Sequence, residues 1–81
     1  MSIVPFLREN AFDPKAIAIL AAAFDAAWET VQKSGSPLAS EAEAAATRER
    51  IAKRIIEMGT QGERDHQRLV ENALAYLTGT A

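Results

Sequence analysis

Eighty-one residues carrying nine basic and eleven acidic side chains, a formal charge of −2, suit one folding unit and exclude both a second sizeable core and an overall positive field drawing the chain to nucleic acid or anionic lipid. The lack of cysteine excludes disulfides, thiol catalysis and cysteine-ligated zinc or iron–sulfur centres. Apolar residues make up 48% of the chain, but 17 residues are alanine, which lets helices approach closely while burying little area each.

A domain this short buries only about 60% of the surface its unfolded chain exposes, so its core needs a supplement, for which a second copy of the chain is one candidate. The first ten residues lack the basic start and long apolar stretch of a secretory signal. No run approaches the ~20 apolar residues of a membrane span, and the expected location is the cytoplasm. Charge is uneven along the chain: residues 1–47 carry three basic and six acidic groups, residues 48–81 six and five.

An irregular amino-terminal arm, residues 1–12, precedes the first helix signal, Asp13-Pro14, in which a carboxylate can accept from orphan N–H groups and proline suits the first helical position. The spacing predicts a first helix over 14–33, stopped by Ser34-Gly35-Ser36-Pro37. The second helix has two candidate starts, Pro37 behind Ser36 or Glu41 in the capping-box pattern Ser40-Glu41-Ala42-Glu43. It is placed at 38–58, firm from 41 and ending at Gly59. Asp65 caps a third helix over 65–78, with Gly79 behind it.

At 100° per residue, Ile17, Leu20, Phe24, Trp28 and Val31 form one stripe of the first helix. Ala44, Ile51, Ile55 and Met58 form that of the second, and Leu69, Val70, Ala73, Leu74 and Leu77 that of the third. Three such faces enclose one core, so the predicted fold is all-α, a small three-helix bundle forming a single domain. Ile19 and Ile56 lie off the main stripes, and Phe6 and Leu7 in the arm also need cover; these four, wherever uncovered, are candidate interaction residues. The basic strip Arg50, Lys53 and Arg54 completes that candidate surface.

His66 is the only histidine, which leaves no catalytic pair, triad or two-histidine metal face to assemble. It projects into the third helix's apolar arc beside Asp65 and is expected to be packed or partly covered. Arg48 falls inside the second helix's apolar arc and needs a partner there, Asp65 or Glu63 being the nearest carboxylates by this reading. Arg48, Asp65 and His66 are therefore the candidate buried polar residues. Gly59-Thr60-Gln61-Gly62-Glu63-Arg64-Asp65 is a turn rather than a phosphate cradle, because no Walker-type lysine follows and two carboxylates would repel phosphate. No inward carboxylate pair is found, and no catalytic, cofactor or metal site is predicted.

A helix, turn, helix order over 41–78 with Arg48, Arg50, Lys53, Arg54, Arg64 and Arg68 raises a DNA-associated regulator as the alternative reading. Against it, Glu63 and Asp65 stand before the would-be reading helix and the basic residues are largely matched by acids. Arg48, Ile51-Ala52, Ile55-Ile56, Gly62-Glu63-Arg64-Asp65, Leu69 and Ala73-Leu74, with Phe12-Asp13-Pro14 ahead of Phe24 and Trp28, span about three quarters of the chain. This pattern resembles a group of short helical proteins of unknown function from proteobacteria, and implies a bacterial, cytoplasmic, small helical protein with no activity attached. The favoured reading is an interaction or regulatory module for a protein partner whose identity the residues do not disclose, with self-association open.

Overall fold

Asp13 turns its carboxylate back to accept from the Ala16 N–H at 2.7 Å, and Pro14 fills the first helical position, where no donor is needed. This cap opens α1, Pro14–Lys33, in the computed structural model, which describes residues 12–79. The arm residues Phe6 and Leu7 lie outside the described residues. α1 closes at Ser34, whose N–H bonds back to Thr30 and Gln32, and Gly35 follows at φ +70.

Ser36 caps a short 3-10 turn, Pro37–Ala39, by accepting from the Leu38 N–H at 3.1 Å. The loose start expected near 38 is this separate turn, and the firm helix expected from 41 begins later: α2 spans Ala44–Thr60, and Glu43 makes no side-chain cap bond. The Ser40 carbonyl accepts from the N–H groups of both Glu43 and Ala44, so the chain winds into the helix through backbone turns instead of a capping box. Thr47, 1% exposed, fixes the junction by donating its hydroxyl to the Leu38 carbonyl at 2.7 Å.

The other end of α2 also departs from expectation. Gly59 lies inside the helix, which runs to Thr60 and is stopped by Gly62, φ +96. The Glu63 N–H bonds to the Met58 carbonyl and the Gly62 N–H to that of Gly59, the paired bonds of a Schellman stop. Gly59 serves packing: a Cβ there would lie 2.7 Å from Leu20 Cδ1. Asp65 then caps α3, His66–Thr78, by accepting from the Arg68 N–H at 2.9 Å, and Gly79 ends it at φ +76.

The described residues form an all-α three-helix bundle without strands, each helix packing against both others. Leu20, Phe24, Ile51, Ile55 and Leu69 are its largest fully buried apolar side chains, each contributing about 1.5–3 kcal/mol of transfer free energy before entropy is counted. α1 buries Ala16, Ala23 and Ala27 beside Leu20, Phe24 and Val31, while Ile17 and Trp28 are half-buried at its edge. The buried stripe is thus rotated toward the alanines, which admit a close neighbour where larger side chains would not.

Candidate interaction surface

Arginines stand over every described aromatic outside the core. Phe24 is buried; Phe12, Trp28 and Tyr76 each have a guanidinium within cation–π distance. The three rings occupy different places and their arginines do different things.

Arg64 reaches from the loop behind α2 and donates to the carbonyls of Gly59 and Glu63 at 2.7 and 2.8 Å, satisfying acceptors at the helix end. Its guanidinium is 5.6 Å from the Phe12 ring centroid, so two chain segments far apart in sequence meet at one end of the bundle. Asp13, Lys15, Ala16, Ile19 and Arg64 line a shallow open depression there, of about 260 Å³. Ile19 is half-buried against the core, as is Ile56, so neither is a fully bare apolar side chain.

Arg48 stands 5.2 Å from the Trp28 centroid, not beside Asp65 or Glu63. The reason is distance along α2: Arg48 lies near its start and the 63–65 loop beyond its end, about 20 Å away at 1.5 Å per residue. Those carboxylates already serve the backbone, Asp65 as the α3 cap and Glu63 as acceptor from the Arg64 N–H. Arg48 is half-buried, and its Nε is buried without an acceptor. Asp65 and His66, expected to be covered, are exposed: all of residues 65–68 face solvent, and the buried stripe of α3 begins at Leu69.

Tyr76 is the large apolar side chain most open to solvent among the described residues, at 42% exposure. From α2, Arg50 and Arg54 approach its ring to 5.8 and 5.7 Å. The helical period explains the meeting: residues 50 and 54 are one turn apart on the side of α2 facing α3. Arg54 also donates to Glu57 at 2.7 Å, and Lys53 pairs with Glu49 at 3.3 Å. No carboxylate among the described residues lies within ion-pair distance of Arg50.

The predicted strip Arg50, Lys53 and Arg54 is therefore split by the fold. Arg50 and Arg54 join Tyr76, while Lys53 is exposed and occupied by Glu49. Sequence reasoning did not single out Tyr76; the available signal was its position at the edge of the third helix's apolar arc, three residues beyond Ala73. Among the described residues no group of three histidines, cysteines or carboxylates is placed to hold a metal, and no helix is long and apolar enough to cross a membrane.

No known family, curated protein or solved structure matches the chain.

Proposed function

We propose that the chain is a small interaction module, acting in a bacterial cytoplasm, which presents the seam between α2 and α3 to a protein partner. The observation carrying this reading is the exposed Tyr76 ring with Arg50 and Arg54 over it. Tyrosine and arginine are among the residue types that dominate interface energetics, since each combines a large contact area with directional polar groups. A tyrosine ring in contact with two arginines is also partly ordered before any partner arrives, which lowers the entropy lost on binding.

The test is a photo-crosslinking phenylalanine analogue at position 76 in cells, with the exposed position 22 on α1 as control. A discrete protein adduct from position 76 alone, abolished by Arg50→Glu with Arg54→Glu, is the expected result. Adducts of equal yield from both positions would contradict the module, and an adduct with nucleic acid would favour the DNA-associated alternative.

A further inference from the structure

We infer that the partner meets this seam through carboxylates, as an acidic segment that places two of them one helical turn apart. This rests on the module reading and adds the chemistry of the partner. Arg50 stands over Tyr76 and has no carboxylate of its own within reach among the described residues. With a ring contact and no ion pair among the described residues, the Arg50 guanidinium keeps N–H donors for an acceptor, and a carboxylate fits two of them at once. Arg54, one turn along and about 6 Å away by helical rise, holds Glu57 in a partly exposed pair three residues apart. The Glu57 end of this pair is more than half exposed, so its carboxylate can give way to another. The seam therefore offers one open cation and one replaceable contact at the spacing of carboxylates four residues apart on a helix.

Nucleic acid fits the same face poorly. Glu49 and Glu57 hold Lys53 and Arg54, so a phosphate backbone would bring its charges against two carboxylates, and the chain as a whole is −2. Two discrete carboxylates set fewer charges against Glu49 and Glu57 than a continuous phosphate backbone does, and one of them is aimed at Arg50, which has no ion pair among the described residues.

The full chain, isotope-labelled, is titrated with an alanine-based helical peptide carrying two glutamates four residues apart around a leucine. The same peptide with glutamines and a short DNA duplex are titrated in parallel. The glutamate peptide is expected to shift the Arg50 Nε–Hε and Tyr76 ring signals. Arg50→Gln is expected to weaken it about tenfold, as for loss of one charge-assisted contact, and Arg68→Gln on α3 to leave it unchanged. Equal shifts from the glutamine peptide, shifts spread evenly over all cations, or no shift at all would overturn the carboxylate inference. Persistence of the position-76 protein crosslink in those cases would leave the module reading standing. Duplex DNA moving the same signals at lower concentration would remove both.

Discussion

Replacing Arg48 by alanine removes a guanidinium from above Trp28 and a half-buried stem from the edge of the core. Arg48→Ala is expected to cost about 1 kcal/mol, and Arg50→Ala no more than about 0.5 kcal/mol at its exposed ring contact. Thermal melts of the two variants check this; equal losses would mean that Trp28 gains nothing from its arginine. Thr47 is a second case. Thr47→Val keeps the shape but strands the Leu38 carbonyl, for an expected loss of about 1 kcal/mol by denaturant titration. At the surface, Lys33 bonds Glu29 at 2.6 Å, and this hydrogen bond and charge hold the Glu29 carboxyl below its ordinary range and Lys33 above its own. The Glu29 contribution is present above the unfolded glutamate value and fades as pH falls through the lowered one. That of Lys33 is present below the unfolded lysine value and fades as pH rises through the raised one. Both are intact near neutrality. Carboxyl NMR titration should show Glu29 returning toward the ordinary range in Lys33→Ala. Arg48 was legible as an arginine in an apolar arc, but its partner was not, because helical projection orders residues around an axis and says nothing of which end of a neighbour they meet.

Each helix start marked by an aspartate is capped by that aspartate, since Asp13 and Asp65 act locally and need no tertiary information. Asp65→Ala is expected to cost about 1 kcal/mol. Serine and glycine signals were less decisive. Ser40 and Glu43 have capping-box spacing, yet the backbone bonds at Ser40 and the tie from Thr47 to Leu38 set where α2 begins. Gly59 and Gly62 look alike as breakers, and only packing separates them. Gly62 takes the left-handed stop, whereas Gly59 clears Leu20. Gly59→Ala should therefore destabilise by about 1–2 kcal/mol through overpacking, although alanine is the better helix former. A raised melting temperature would mean that Leu20 yields without strain.

At the scale of the whole molecule, three apolar stripes meeting in one interior were readable from periodicity, because burial of a stripe is the dominant favourable term and fixes which face turns inward. The interaction surface was readable only in part. Arg50 and Arg54 share a face by spacing alone, but Tyr76 joins them through the packing of α2 on α3, which no local pattern encodes. Phe24, Ile55 and Leu69, from three different helices, share one core while Tyr76 stays outside under its two arginines. Nuclear Overhauser contacts from the aromatic rings test it most directly. Cross-peaks are expected from Phe24 to the methyls of both Ile55 and Leu69, and from Tyr76 to the Arg50 and Arg54 side chains. A Phe24 ring with contacts only inside α1 would contradict it.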